Sequence, residues 1–183
     1  TYTDEQKVKR DYVAEPGSEN PYEKLPQLNM YTYQMSEIIQ DQLSSGIEIN
    51  GENEAYAFDL NEFFATNSAG KFVHEAAVDE FLDSMTKLEK FPFSTPELRN
   101  ELKHTLWLLN HVESAKALAK KLCEHPVFEN YEIIVAAGDG KLSEDEEAKK
   151  AYDKVTAAIR AHDKTITLSV GQLTTGVTIP EWT

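Results

Sequence analysis

A group of hydroxyl and glycine residues near the end of the chain could hold a ligand. Thr174, Thr175 and Gly176 follow an alternating stretch, residues 165–170, that predicts a β-strand. Thr178 comes shortly afterwards. In parallel α/β folds, ligands gather in loops at the carboxyl ends of strands. This loop is therefore the first candidate for a binding site.

Asn110 and His111 form a second candidate site. They directly follow the apolar residues 106–109, which predict a strand covered on both faces of a sheet. The pair would then lie at the same edge of the sheet as the loop around Gly176. An alternative is that Asn110 caps the helix expected to begin at Val112. The residues alone leave both interpretations open.

Three other patterns carry weaker signals. Residues 138–140, Gly-Asp-Gly, lie between an expected strand and an expected helix, where phosphate-binding loops occur. Neither a third glycine nor Gly-Lys-Ser/Thr follows, so the known phosphate-loop motifs are not matched. An ordinary turn is the alternative to a phosphate-binding loop. A calcium-binding loop is excluded there, because Val135 and Ala137 occupy ligand positions and cannot ligate calcium. His74 begins like a zinc-protease helix, but Val78 stands where the second histidine would be. The sequence therefore predicts neither a metal site nor catalytic residues in this chain.

An alternation of strands and helices must position the two candidate loops. The expected strands are residues 105–109, 131–137 and 165–170, and the expected helices are residues 112–123 and 143–161. Ser143 and Glu146 form a capping-box pair at the start of the second helix. This pattern predicts an α/β fold, a three-layer parallel sheet flanked by helices and joined by right-handed crossovers.

The first hundred residues predict a mixed, partly helical N-terminal region. The expected helices are residues 4–14, 37–43, 59–64, 71–88 and 97–102, the expected strand is 28–35, and Asn50-Gly51 is a candidate hairpin turn. The pattern changes at His104. We therefore divide the chain into residues 1–103, a connecting or inserted region, and residues 104–183, the α/β part.

Composition narrows the class of protein. Acidic side chains number 32 and basic ones 18, and the resulting net charge of −14 argues against broad attraction to nucleic acid or anionic lipid. A local phosphate-binding groove stays compatible with it, because backbone amides and hydroxyls bind phosphate without positive charge. No apolar run could cross a bilayer, and the single Cys123, expected to be buried, fits the reducing cytoplasm. The start at Thr1 predicts a piece of a longer protein.

Residues 168–182, Leu-Ser-Val-Gly-Gln-Leu-Thr-Thr-Gly-Val-Thr-Ile-Pro-Glu-Trp, closely resemble motif V of the superfamily 2 helicases of restriction systems. The likeness is strongest to type III restriction enzyme Res-subunit-like proteins. Residues 105–118 are similar to motif IV of that family, and residues 21–33 to the segment that follows its first motor lobe. The resemblance extends over most of the chain, but motif V is the only motif in it that is specific for this family.

This resemblance implies that residues 104–183 are a truncated RecA-like second lobe. The parent would be an ATP-dependent DNA translocase or helicase subunit of a restriction endonuclease. Thr174, Thr175 and Gly176 would contact the DNA backbone, since hydroxyls and closely approaching backbone suit phosphate recognition without reading bases. Gly176 and Thr178 would couple that contact to the ATP cleft.

At the motif IV position, the resemblance implies that Asn110 and His111 also line the DNA track. The chain departs from the family elsewhere. No Walker A loop, Asp-Glu-x-His/Asp box or nuclease triad is present, and motif VI with its arginine finger would follow Thr183. The fragment alone is therefore expected neither to hydrolyse ATP nor to cut DNA. The parent hydrolase would bind ATP and Mg²⁺ mainly through its first lobe, and would work in the cytoplasm with a methyltransferase or specificity subunit.

Two other classes of function stay open from the residues. One is a nonenzymatic α/β interaction or regulatory domain of a larger acidic protein. The other is a nucleotide-sugar or dinucleotide enzyme lobe that uses residues 138–140. Stabilisation of the isolated fragment by nucleotides would favour the enzyme lobe, because a ligand that binds only the folded state raises its stability.

Overall fold

The computed structural model describes residues 60–89, 91–138, 143–174 and 176–182. The helix, strand and turn predictions for residues 4–14, 28–35, 37–43 and 50–51 lie outside this part of the chain, as does Thr175. The described helices are α1 (Leu60–Phe63), α2 (Glu75–Lys87), α3 (Pro96–Glu101), α4 (Val112–Glu124) and α5 (Glu144–Ala161). The described strands are β1 (His104–Leu108), β2 (Glu132–Ala136) and β3 (Thr165–Ser169), and a 3-10 helix, Phe128–Asn130, precedes β2.

The three strands form one parallel sheet in the order β1-β3-β2. Leu108 of β1 and Ala136 of β2 both pair with Ser169 of β3, so the strands end level with one another. All five residues of the central strand β3 are buried. The prediction of an α/β fold, with a parallel sheet flanked by helices, is confirmed.

Successive side chains of a strand point to opposite faces, and this divides the core into two layers. Ile166 and Leu168 point to one face, where they pack with buried side chains of α1, α2 and α4. Ile134 and Ala136 point to the other face, where α5 and the tail after β3 cover them. Helices α4 and α5 therefore lie on opposite faces of the sheet, as the three-layer prediction required.

Residues before β1 contribute to the first of these layers. Phe63 is 1% exposed and Phe93 is 3% exposed, and both belong to the same apolar cluster as Ile166 and Leu168. The division of the chain at residues 103 and 104 stays a prediction. No helix among the described residues combines the length and the apolar character that crossing a membrane requires.

Local sequence explains where two of the helices begin. The Thr95 hydroxyl accepts a hydrogen bond from the Leu98 N–H at 3.3 Å, and Pro96 takes the first position of α3, where its missing N–H is not needed. At α5, Ser143 and Glu146 form the predicted capping box. Hydrogen bonds from the Ser143 hydroxyl and its backbone N–H hold the pKa of Glu146 below its usual value.

The helix predicted for residues 71–88 is shorter than expected. It spans Glu75–Lys87, because the segment before it folds back through an antiparallel bridge between Thr66 and Phe72. The bridge fixes Phe72 in extended backbone, and Phe72 is buried in the first core layer. Tertiary packing therefore takes the first residues away from a helix that the apolar spacing had included.

Two burial predictions were also wrong. Strand β1 is not fully covered on both faces, since Leu108 is 63% exposed. Cys123 is exposed rather than buried. Leu122 points into the core, and the next residue of a helix is rotated by about 100°, which turns Cys123 outward.

Candidate nucleic-acid interface

The chain leaves all three strands at the carboxyl edge of the sheet. Because the strands are parallel and end level, the residues after Leu108, Ala136 and Ser169 all leave from the same edge. The ladder continues one step beyond β1, where the N–H of Leu109 donates to the Ser169 carbonyl at 2.9 Å. Because β3 is the central strand, the loop after it leaves the sheet between the ends of β1 and β2. This places the motif V-like loop in the middle of the edge.

Left-handed backbone angles and short-range hydrogen bonds shape the loop after β3. Gly171, Leu173 and Gly176 have φ angles of 76°, 60° and 70°, in the left-handed region. The Ser169 hydroxyl donates to the Gln172 carbonyl, and the Thr174 hydroxyl donates to the Gly171 carbonyl at 2.9 Å. These bonds close the loop into successive tight turns.

Leu173 anchors this loop while its neighbour faces solvent. Leu173 is 6% exposed and packs in the second core layer, although left-handed backbone is unfavourable for leucine. Thr174, the next residue, is exposed. The Thr174 hydroxyl gives its one proton to the Gly171 carbonyl, so contact with a phosphate requires that proton to turn from the carbonyl to the ligand.

The predicted residues Asn110 and His111 lie at the same edge, after β1. Both are exposed. The Asn110 amide donates to Oδ1 of Asn61 in α1, so this side chain joins two elements and does not cap α4. His111 is the N-cap residue of α4, and its side chain makes no capping hydrogen bond. The capping alternative for Asn110 is therefore wrong, because the residue lies one position too early and faces α1.

Gly176 and Thr178, predicted to couple to an ATP cleft, lie further along the tail. Both are exposed, and a Cβ built on Gly176 would meet no atom within 4 Å. Its glycine identity is therefore required by the backbone φ of 70°, not by crowding. Ile179 then buries itself in the second core layer and fixes the end of this segment.

A cleft beside Gly138, the first residue of the candidate Gly-Asp-Gly turn, adds to this edge. This cleft of about 180 Å³ lies between the end of β2 and α5, lined by Val135, Ala136, Ala137, Gly138, Glu147, Lys150, Ala151, Lys154 and Gln172. The Gln172 amide donates to Oε2 of Glu147 at 3.2 Å, and Nζ of Lys154 donates to the Val135 carbonyl at 3.2 Å. The available signals were a glycine directly after a strand and a glutamine within the motif V-like stretch.

The loops after β1 and β3 carry few titratable groups, although Glu147, Lys150 and Lys154 line the adjoining cleft. Across the described ranges, no three histidine, cysteine or carboxylate side chains come close enough together to hold a metal ion. His104, whose pKa burial lowers, lies at the opposite end of β1, with Nδ1 at 3.1 Å from the Thr165 hydroxyl. The edge therefore offers hydroxyl, amide and backbone groups, which bind phosphate well.

Comparison with known proteins gives one relative. The chain matches a Mycoplasma pneumoniae protein described as the C-terminus of a proposed type II restriction enzyme and methyltransferase. The two are 28% identical over 197 residues, which takes in 100% of this chain and 27% of the relative. The chain thus spans about a quarter of that protein's length. No protein-family model matches the chain, and no solved structure matches it.

This similarity supports the link to restriction systems that the motif V resemblance predicted. It does not extend to the helicase class, and the relative is described as a type II enzyme, not a type III enzyme. The assignments of DNA contact to Thr174, Thr175, Gly176, Asn110 and His111 stay predictions, as do those of ATP coupling to Gly176 and Thr178.

Proposed function

We propose that this chain forms part of the DNA-contacting face of a RecA-like motor lobe in a restriction-modification protein. The observation that carries the proposal is the position of the motif V-like loop, which leaves the central strand of a parallel sheet between the carboxyl ends of β1 and β2. Ligands of α/β sheets bind outside the carboxyl ends of the strands. The sequence similarity to a restriction enzyme and methyltransferase points to the same kind of system.

The residues of the edge suit contact with the phosphate backbone. Thr174 and His111 are exposed, and Gly176 carries no side chain that would hold a phosphate away from the backbone. Such contacts fix the register of a protein on DNA without reading its sequence. A net charge of −14 requires the contact to be local, so that acidic faces turn away from the DNA.

ATP and Mg²⁺ belong to the parent protein in this proposal. Gly176 and Thr178 would couple DNA binding at this loop to a nucleotide cleft that is formed mainly by another lobe. The fragment by itself would be inactive as an ATPase and as a nuclease. Its partners would be DNA and the methyltransferase or specificity part of the restriction system.

DNA affinity of the full-length protein tests the proposal. The double substitution Thr174→Ala plus Thr175→Ala removes two hydroxyls from the loop, and we expect affinity to fall roughly tenfold to thirtyfold, at about 1 kcal/mol for each hydrogen bond. Thr156→Ala, a half-buried threonine on α5, serves as the control and should leave affinity unchanged. Wild-type DNA binding with no loss in the double variant would overturn the assignment.

A separate measurement tests the coupling to ATP. Gly176→Ala should reduce the stimulation of ATP hydrolysis by DNA in the full-length protein more than it reduces DNA affinity, because it alters the segment that leads toward Thr178. A full-length protein whose ATP hydrolysis is absent or insensitive to DNA would favour the nonenzymatic interaction domain instead.

A further inference from the structure

A groove that the assigned residues do not explain lies between α4 and the turn before α2. It encloses about 540 Å³ and is lined by Ser68, Ala69, Gly70, Glu113, Lys116, Ala117, Ala119, Lys120 and Val135. A second depression of about 240 Å³ adjoins it and adds Lys71, Phe72, Glu75, Lys121 and Glu124. The two share Ala69, Gly70, Ala117 and Lys120, so they form one continuous surface, here called the lysine groove.

The turn that forms one wall is rigidly built. Oδ1 of Asn67 accepts hydrogen bonds from the N–H groups of Ala69 and Lys71, at 2.9 and 3.2 Å. Gly70 takes a φ of 70°, which glycine adopts without strain. Ala117 lies on the floor and is 5% exposed. The backbone of the turn is therefore shaped by hydrogen bonds within the turn itself.

The lysines of the groove fall into two groups. Nζ of Lys121 lies 2.7 Å from Glu75 and 2.9 Å from Asp79, so it joins α4 to α2. Burial opposes its charge, but hydrogen bonds to the two carboxylates outweigh burial and raise its pKa. Lys71 and Lys120 are exposed and form no ion pair with any described residue.

Lys116 is exposed and is held only by a neighbour on its own helix. It pairs with Glu113 at 2.8 Å, and both side chains are more than half exposed. Pairs of this kind are weak in water, so an incoming phosphate can take the place of the carboxylate. The lining carries four lysines against three glutamates, Glu75, Glu113 and Glu124, whereas the whole chain has a net charge of −14. Lys71, Lys116 and Lys120 are therefore available to an external anion.

The lysine groove adjoins the carboxyl edge of the sheet. Val135, on its floor, is the last but one residue of β2. Helix α4 begins directly after His111, and a rise of 1.5 Å per residue places Lys116 and Lys120 about 8 and about 14 Å along it. A DNA strand that touches His111 would reach these lysines by following α4.

We propose that the lysine groove binds the phosphates of the same DNA strand that crosses the carboxyl edge, through Lys71, Lys116 and Lys120. This inference rests on the proposed function, and it adds a cationic part to a contact that otherwise depends on hydroxyls and backbone. It also explains how a strongly acidic chain can hold DNA, because the groove brings Lys71 together with two exposed lysines of α4.

The salt dependence of DNA binding by the full-length protein tests the groove. Each phosphate contact contributes about 0.9 to the slope of log K against log salt. Lys116→Ala plus Lys120→Ala should therefore lower that slope by about two, so that a fourfold rise in salt weakens the variant roughly tenfold less than the wild type. Lys87→Ala plus Lys149→Ala removes the same charge from exposed positions outside the groove and should leave the slope near the wild-type value.

The outcomes separate this inference from the proposed function. If the loop variant of Thr174 and Thr175 weakens DNA binding but the Lys116 and Lys120 variant keeps the wild-type slope, the groove assignment is overturned and the edge assignment stands. If the full-length wild type shows no salt-dependent DNA binding, both are overturned. Melting temperatures equal to that of the wild type confirm that neither lysine pair was needed for folding.

Discussion

The side-chain amide of Gln172 donates a hydrogen bond to Oε2 of Glu147 at 3.2 Å, and this bond ties the loop after β3 to helix α5. Gly138, at the end of β2, lies against the pair. A Cβ at Gly138 would stand 1.9 Å from Oε2 of Glu147 and 2.7 Å from Nε2 of Gln172. The chain directly after β2, the loop after β3 and α5 therefore meet at this one hydrogen bond.

Gly138→Ala should break this link. The new methyl group must push the ends of the Glu147 and Gln172 side chains apart, and losing their hydrogen bond should lower the free energy of unfolding by about 1 kcal/mol. Urea denaturation measures the loss. In a Glu147→Ala background the clash with Oε2 is gone, so the same substitution should cost less there. An equal cost in both backgrounds would contradict the contact.

At Leu173 we expect an unusual order of stability between the alanine and glycine variants. Leu173→Ala loses the buried side chain but keeps the left-handed backbone, and should cost about 2–4 kcal/mol. Leu173→Gly loses a similar burial but relieves a strain of about 1–2 kcal/mol. We therefore expect the glycine variant to be at least as stable as the alanine variant in thermal or urea unfolding. An alanine variant that is clearly more stable would show that the backbone is not left-handed there.

A hydrogen bond from Ser114 connects helix α4 to the segment before α2. Its hydroxyl donates to the Phe64 carbonyl at 2.7 Å and the side chain is 3% exposed, so Ser114→Ala leaves a buried carbonyl without this donor. The expected cost is about 1–3 kcal/mol in the free energy of unfolding. Thr156→Ala is the matched control, since that hydroxyl bonds within its own helix to the Tyr152 carbonyl. Equal effects of the two substitutions would contradict the attachment.

His104 should make stability depend on pH. Burial lowers its pKa from the ordinary 6.5, and the nearby carboxylates of Asp163 and Glu181 offset only part of this effect. The unfolded chain then binds a proton more readily than the folded state, so the free energy of unfolding falls as pH drops through about 6.5 and levels off below the folded-state pKa. His104→Gln removes this component and should lose less stability than the wild type between about pH 7.5 and about pH 5. Identical losses would show that His104 is not the group responsible.

Local patterns in the sequence predicted the helices and strands, but not which of them pack against one another. The alternation of Thr165, Thr167 and Ser169 with apolar residues is typical of a strand with one face in water, yet all five residues of β3 are buried. The reason is that α5 and the tail after β3 cover this second face, while β1 and β2 flank both edges of the strand. No local pattern encodes this arrangement, because pairing between strands depends on packing across the whole sheet.

The candidate site, like the fold, was predicted from the sequence only in part. The sequence identified the loops after β1 and β3, since each follows a strand and carries polar residues. It could not show that Asn110 bonds to Asn61, which lies 49 positions earlier, or that Gln172 bonds to Glu147, 25 positions earlier. Contacts at such separations arise only when the helices dock on the sheet. The lysine groove was missed for this reason as well, because its walls come from two distant segments.

Site-specific crosslinking of the full-length protein to DNA tests the central claim most directly. Within this chain Cys123 is the single cysteine and it is exposed, so Cys123→Ser prepares a background in which Thr174→Cys can carry a photoreactive group. Cysteines elsewhere in the parent would be replaced in the same way. We expect Thr174→Cys to crosslink to DNA, and Thr156→Cys, on the helix that covers one face of the sheet, to give only background. Crosslinking from position 156 with none from position 174 would contradict the placement of DNA at the carboxyl edge.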